Sequence, residues 1–292
     1  MSLLDGGKIN MPVNIKFFNT GYCTHPEKIA IKGGSSEPCK FYALFALIEH
    51  SKYGLILYDT GYSSRFYAET KVFPFNIYAK ITPVYFEDED SAISQLRNIG
   101  INPEDINLVI LSHFHADHIG AISDFLKSNY LCFKSAYEDI KNKKGLSALK
   151  KGFIPNFIPR DFLSRVKYVD DYEKIELPSE LSPFKYGYDI CGDRSVISVE
   201  LEGHAKGQQG VFIQSDKGSY FLISDACWLS KSYRELILPH PIANLAFSNK
   251  KAYKDNLERI HSLHKNNPKV NIIPSHCPEV RQKFVQEGEN NA

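Results

Sequence analysis

Short apolar blocks recur along this chain, and several of them end on polar residues. Val13-Asn14-Ile15-Lys16-Phe17-Phe18 alternates as a half-buried strand does. Phe41 to Ile48 reads as a buried strand that leads into a turn at His50-Ser51-Lys52-Tyr53-Gly54. Gly54-Leu55-Ile56-Leu57-Tyr58 and Leu108-Val109-Ile110-Leu111 have strand length and little polarity. Acid from Glu87 to Glu89 precedes Ala92, Ile93, Leu96 and Ile99 at helical spacing, and acid suits the start of a helix dipole. Asn102-Pro103-Glu104-Asp105 is a turn feeding the next strand. Val196-Ile197-Ser198-Val199-Glu200-Leu201 alternates again, and Tyr220 to Ile223 and Val270 to Ile273 add two more strands. Asn249 to Lys265 places Ala252, Tyr253, Leu257, Ile260 and Leu263 on one helical face. Strands, helix, strand, then strands, helix, strand: this order predicts a layered α/β fold with polar loops at the strand ends.

One stretch fits that scheme poorly. From about Lys127 to Ser195 the chain is aromatic-rich and broken by Pro155, Pro159, Pro178 and Pro183, and Lys141-Asn142-Lys143-Lys144-Gly145 makes a solvated turn. Aromatics most often serve a core, so part of the stretch is scaffold. Gly152-Phe153-Ile154-Pro155-Asn156-Phe157-Ile158-Pro159 is apolar without a clear period. That suits a lid over a pocket, with Phe153 and Phe157 against the substrate. Phe66-Tyr67 through Phe73 to Tyr78 is a second candidate wall.

Composition narrows the class. A length of 292 residues fits one large domain spanning 1–292, with 127–195 as an insertion. A net charge of +1 offers no global basic field, so nucleic acid is not the expected partner and a small molecule is. No run approaches a membrane span, and Met1-Ser2-Leu3-Leu4-Asp5-Gly6-Gly7-Lys8 shows no apolar leader. The six cysteines are scattered without Cys-x-x-Cys spacing, as in a reduced cytoplasmic protein. A cytoplasmic enzyme is the expectation.

The chemistry concentrates in His113-Phe114-His115-Ala116-Asp117-His118, directly after an apolar run. The chain holds ten histidines in all, so three within six residues is far from chance. On an extended segment His113 and His115 point to the same side. A tight turn or helix start, favoured by Gly120, folds Asp117 and His118 back toward them. The donor set is nitrogen and oxygen, suited to zinc and also to iron or manganese. The span between Asp117 and His118 is too short to wrap one ion, whereas a pair of ions accommodates all four groups.

His113-x-His115-x-Asp117-His118 after a buried strand resembles the signature of the metallo-β-lactamase superfamily. Four further marks follow the family's order. Asp59-Thr60-Gly61 closes one strand, and Glu202-Gly203-His204-Ala205-Lys206-Gly207-Gln208-Gln209-Gly210 carries a histidine between glycines. Ser224-Asp225 and Pro274-Ser275-His276 each close another strand. The resemblance implies a four-layer αβ/βα sandwich with the site at one edge of two sheets. It implies one ion on His113, His115 and His204 and a second on Asp117, His118 and His276, with Asp225 bridging. A hydroxide shared by the ions would attack a carbonyl carbon or phosphorus, and Asp117 could move the proton. Asp59 is either an outer partner that orients a ligand imidazole or a turn-forming residue before Thr60-Gly61. Cys227 and Cys277 adjoin ligands as small buried residues.

Among the branches, the chain is most similar to the N-acyl homoserine lactonases, and Asp225 separates it from the β-lactamases. One departure stands out. That branch has a tyrosine three residues after the bridging aspartate, where this chain has Trp228. Indole donates a hydrogen bond but accepts none. Tyr22, Tyr62 or Tyr233 are candidates to replace the missing hydroxyl, and Trp228 and Tyr62 join Phe153 and Phe157 as candidate substrate contacts. The expected activity is metal-dependent hydrolysis of a lactone, ester or thioester carrying an apolar acyl or aryl group. A phosphodiesterase is the alternative, and basic residues ringing the metals would favour it. A non-catalytic binding member would have lost a ligand, and none is lost.

Overall fold

A computed structural model describes residues 13–285. Met1 to Lys8, where the sequence shows no apolar run, lies outside the described residues. One sheet contains β1 (Val13–Pro26), β2 (Pro38–His50), β3 (Gly54–Tyr58), β4 (Val84–Tyr85), β5 (Ile106–Ile110), β6 (Asn129–Cys132) and β7 (Val166–Tyr168). Its order is β4-β1-β2-β3-β5-β6-β7. The other contains β8 (Lys174–Glu176), β9 (Tyr186–Asp189), β10 (Val196–Glu200), β11 (Gln209–Ser215), β12 (Gly218–Ser224) and β13 (Asn271–Pro274), in the order β13-β12-β11-β10-β9-β8.

Side-chain alternation explains the layering. In β11, Val211 and Ile213 enter the core shared by both sheets, while Phe212 points to a second core; in β12, Leu222 and Phe221 divide the same way. A strand buried on both faces needs a helix layer outside it. Helices Ser230–Glu235 and Lys250–Asn266 supply that layer through Tyr233, Leu257, Ile260 and Leu263. Each such burial is worth about 1.5–3 kcal/mol. The Asn249 side chain caps the longer helix by accepting from the Ala252 N–H at 3.1 Å, worth only about 1 kcal/mol. Packing, not capping, decides that this helix forms. On the first sheet's side, helix Ala92–Asn98 buries Ala92 and Leu96, and Gln95 donates to the Asn19 carbonyl of β1 at 2.9 Å.

The stretch from Lys127 to Ser195 is largely framework: it supplies β6 and β7 to one sheet and β8 and β9 to the other. Its aromatics pack inside that framework, as with Tyr130 stacked on Phe162 at 5.1 Å. No helix among the described residues is long and apolar enough to cross a membrane. All six cysteines are free.

Strand direction gathers the polar loops. β3, β5 and β6 run parallel, as do β12 and β13, so parallel neighbours deliver their carboxyl ends to a common edge. Hydrogen bonds then tie the sheets together at that edge. Gln209 N–H donates to the Ser112 carbonyl at 2.9 Å, and its side-chain amide to the Leu111 carbonyl at 2.7 Å. Leu44 N–H donates to the Ser275 carbonyl at 3.1 Å, which joins β2 to the end of β13.

Candidate metal centre

Seven residues from five segments converge at this edge. Ligating atoms of His113, His115, His204 and Asp225 lie within 4.8 Å of one another, and those of Asp117, His118 and His276 form a second such group. His113 and His115 lie on the extended link after β5, and a short helix, Ala116–Ile119, begins at once and turns Asp117 and His118 inward. Of the tight turn or helix start expected here, the helix start forms, and Gly120 continues into a turn at φ −56° that needs no glycine. Its missing side chain matters instead for contact: a Cβ there would lie 2.6 Å from the Gly61 carbonyl oxygen.

The backbone at the other strand ends is strained to aim its side chains. Asp59 and Ser224 adopt φ of 60° and 48°, a left-handed region costly for residues with a Cβ. Both are fully buried and tied down. Asp59 N–H donates to the Ile110 carbonyl at 2.8 Å, and Ser224 Oγ donates to Ser112 Oγ at 2.8 Å.

These ties also set the histidine tautomers. Asp59 Oδ2 accepts from His118 Nδ1 at 2.7 Å, and Ser112 Oγ, which itself donates to Asp59 Oδ2 at 2.8 Å, accepts from His113 Nδ1 at 3.0 Å. His276 Nδ1 donates to the Tyr42 carbonyl. In all three rings Nδ1 is thereby the nitrogen held from outside, and Nε2 is the one that faces the centre.

Asp225 lies between the two groups. Its Oδ1 is 3.0 Å from His276 Nε2 and 3.1 Å from His118 Nε2, and its Oδ2 is 3.2 Å from His204 Nε2. Asp117 Oδ2 is 3.4 Å from His276 Nε2. His204 Nε2 and His115 Nδ1 approach to 2.8 Å. His113 Nε2 is buried with no hydrogen-bond partner among the described residues, an arrangement proteins avoid unless another ligand satisfies the atom. Nitrogen and carboxylate donors aimed at one small volume fit divalent metal ions.

The electrostatics agree with that fit. Burial and neighbouring imidazoles push His113 well below its ordinary value, and burial lowers His204 likewise and brings His115 to about 4. All three are neutral at pH 7, the form that ligates. Burial also opposes charge on His118 and His276, but Asp225 and Asp117 outweigh it and raise both. Burial would raise Asp225, yet the imidazoles of His276, His118 and His204 hold it well below the usual carboxylate range. The field that draws protons onto His118 and His276 is one a dication would satisfy.

A cavity of about 510 Å³ opens onto His115, Asp117, His204, Asp225 and His276. Ile29, Ala30, Phe41, Tyr78, Ile81 and Leu245 are among its walls. Trp228 lines it too, but its indole N–H donates to Asp225 Oδ2 at 2.8 Å. The one donor of that side chain is therefore committed to the carboxylate and presents no hydrogen bond to a substrate.

The other candidate contacts lie elsewhere. Phe153 and Phe157 are core residues, not cavity walls: Phe153 packs edge-on against Phe114 at 6.4 Å, and Phe157 is fully buried. Tyr62 is also buried, edge-on to Phe66 at 5.5 Å. An apolar run without a period looks the same in sequence whether it lines a pocket or fills a core. The proposed lid, Gly152 to Pro159, contributes only Gly152 to the cavity, next to Leu149 and Lys150 just before it, while the second candidate wall contributes Tyr78. Cys23 and His25, both on β1, line the cavity and carried no local signal. Only the pairing of β1 with β2, Cys23 opposite Phe41, brings them there. Burial keeps the His25 imidazole below its ordinary value, against the pull of Asp117.

The metallo-beta-lactamase superfamily model matches residues 42–217. The chain belongs to the metallo-β-lactamase superfamily. It is similar to the N-acyl homoserine lactonase AttM of Azorhizobium caulinodans, 29% identical over 207 residues, covering 68% of this chain and 70% of that protein. The lactonase AiiB of Agrobacterium fabrum is 25% identical over 233 residues, covering 79% of this chain and 78% of that one. In fold the chain resembles an N-acyl homoserine lactone hydrolase solved with N-hexanoyl-L-homoserine at its catalytic metal centre. The TM-score is 0.72 at 18% identity, covering 94% of this chain and 96% of the other. AidC, a dizinc quorum-quenching lactonase, matches with a TM-score of 0.62 at 16% identity, covering 93% of this chain and 90% of that one.

Proposed function

We propose that this protein is a dinuclear metallohydrolase acting on a lactone, ester or thioester with an apolar acyl or aryl group. The observation that carries the reading is Asp225: one buried carboxylate stands within 3.0–3.2 Å of imidazoles from both ligand groups, at the floor of a largely apolar cavity. His113, His115 and His204 would hold one ion and Asp117, His118 and His276 the other, with Asp225 shared; nitrogen-rich sites of this kind suit zinc, with iron or manganese as alternatives. Two such ions acidify water toward neutrality and polarise a carbonyl oxygen.

The chain's own groups do the rest. Asp59 fixes the His118 tautomer through the 2.7 Å contact at Nδ1. Asp117, partly exposed to the cavity, has a carboxylate oxygen placed to take up and return a proton. Trp228 orients Asp225 through its N–H and presents its ring as an apolar wall. Ile29, Phe41 and Ile81 exclude water from an acyl chain or aryl ring.

Lactonase relatives support hydrolysis at a carbonyl, and Trp228 in place of their tyrosine is the reason to include open-chain esters and thioesters. The test is a panel assayed with metal-loaded protein: acyl lactones of several chain lengths, acyl and aryl thioesters, aryl esters, a cephalosporin and a bis-aryl phosphodiester. The best efficiency is expected on a carbonyl substrate with an apolar group, with negligible turnover of the cephalosporin. A phosphodiester leading by tenfold, about 1.4 kcal/mol in transition-state binding, would replace this reading with a phosphodiesterase.

A further inference from the structure

Two openings of different character meet at the metal centre. Beside the apolar cavity, a cleft of about 230 Å³ also reaches His115 and His204 and shares Lys150, Leu245 and Ala246 with its neighbour. Lys150, Lys151 and Lys206 line this cleft against one carboxylate, Asp139, which pairs with Lys151 at 2.8 Å. Lys150 and Lys206 have no carboxylate partner among the described residues. In a chain of net charge +1, this is a local concentration and not part of a general basic field.

The lysine-bearing turns are held against the ligands. Gly207, at φ 62°, packs so closely on helix Lys134–Ile140 that a Cβ would lie 2.5 Å from the Ala136 nitrogen. Gly203 approaches Tyr253 as tightly, so the loop that carries both His204 and Lys206 is clamped on two sides. Gly152, at φ 58°, lies against the His115 ring, where a Cβ would meet Cδ2 at 2.9 Å. Lys150 and Lys151 precede it. The backbone that carries both lysines is thus held beside the centre, and from it the exposed side chains of Lys150 and Lys206 line the cleft.

We infer that this cleft binds an anion, a carboxylate or a phosphate, on the leaving portion of the substrate, while the apolar acyl or aryl portion fills the larger cavity. The inference rests on the hydrolase reading above for which side of the scissile bond is which. The reaction is hydrolysis: water adds to the carbonyl carbon, the bond to sulfur or oxygen breaks, and the thiol or alcohol leaves with a proton and its distal anion. Lysine suits either anion, because it acts as a point charge without the planar fork of arginine. Among the described residues, the lysines that line the two openings, Lys150, Lys151 and Lys206, lie on one flank of the centre, which fits an anion remote from the reacting atom better than a scissile phosphodiester.

Trp228 is the chain's only tryptophan and lines the larger cavity, so its fluorescence reports occupancy independently of turnover. Metal-loaded protein would be titrated at low salt with an uncleavable octylthio-propanoate, its primary amide and the matching phosphonate. The carboxylate or the phosphonate is expected to bind roughly tenfold tighter than the amide, and which anion leads distinguishes the two sources. That preference should vanish in Lys150→Gln/Lys206→Gln, shrink in Lys206→Gln alone, and persist in the double arginine variant. Equal binding of anion and amide by the wild type would overturn the inference. So would a preference that survives in the double glutamine variant, because the anion would then be seated on the metal ions. Hydrolysis of the corresponding octanoyl thioesters is measured in parallel. Failure to cleave any of them counts against the hydrolase reading, while the binding comparison still decides the subsite.

Discussion

The floor and the walls of this site are built by different physics. The floor is polar, strained and cross-linked: His113, His118 and His276 each have Nδ1 hydrogen-bonded, and Asp59 and Ser224 hold left-handed backbone beside them. The walls are apolar side chains from separate segments, Ile29, Phe41, Ile81 and Leu245 among them, and Leu245 is 83% exposed. A floor of this kind tolerates little change, because each group positions the next. A wall of this kind defines volume and tolerates substitution of similar bulk. Chemistry is therefore assigned to the floor, and substrate choice to the walls and the lysine cleft.

The largest effect that sharpens this division is expected away from both. Phe157 looked like a wall residue and is buried core, so Phe157→Ala should cost about 3–5 kcal/mol of stability. Denaturant unfolding measures it, and the KM of the remaining folded enzyme should stay near wild type. A raised KM with little lost stability would return Phe157 to the cavity wall.

A smaller effect probes the floor. Asp59→Asn keeps the shape of the side chain but weakens its grip on His118 Nδ1, and outer partners of this kind are worth about 10–100-fold in metal affinity. Competition with a chromogenic chelator reads the change. Unaltered affinity would reduce Asp59 to a turn residue before Thr60 and Gly61.

The same contrast governs what the sequence revealed. The His113 to His118 cluster was legible because three histidines and a carboxylate follow one apolar strand, whereas His204, Asp225 and His276 were legible through the resemblance to the family's motif order; the structure brings all seven together. The layered fold was legible for a related reason: β1 alternates, the helix Lys250–Asn266 keeps an apolar face, and β12, buried on both faces, still reads as an apolar run of strand length. Wall identity was not. Phe153 and Phe157 share composition with a pocket lining, while Cys23 and His25 reach the cavity only through the register of β1 on β2. Lys150 and Lys206 become neighbours only when two turns pack on the loops of His115 and His204. The stretch from Lys127 to Ser195 concealed four strands because they are only three or four residues long and lie among prolines.

The central claim is that both ligand groups hold metal at once through Asp225, and metal content tests it most directly. Wild-type protein, grown with supplied metal and purified without chelator, should contain about two transition-metal ions per chain by elemental analysis. Asp225→Asn, which removes the charge that offsets two dications, should fall clearly below that with its circular dichroism spectrum intact. A wild-type ceiling near one ion, even after reconstitution, would contradict the account, as would an Asp225→Asn variant that keeps full metal content and turnover.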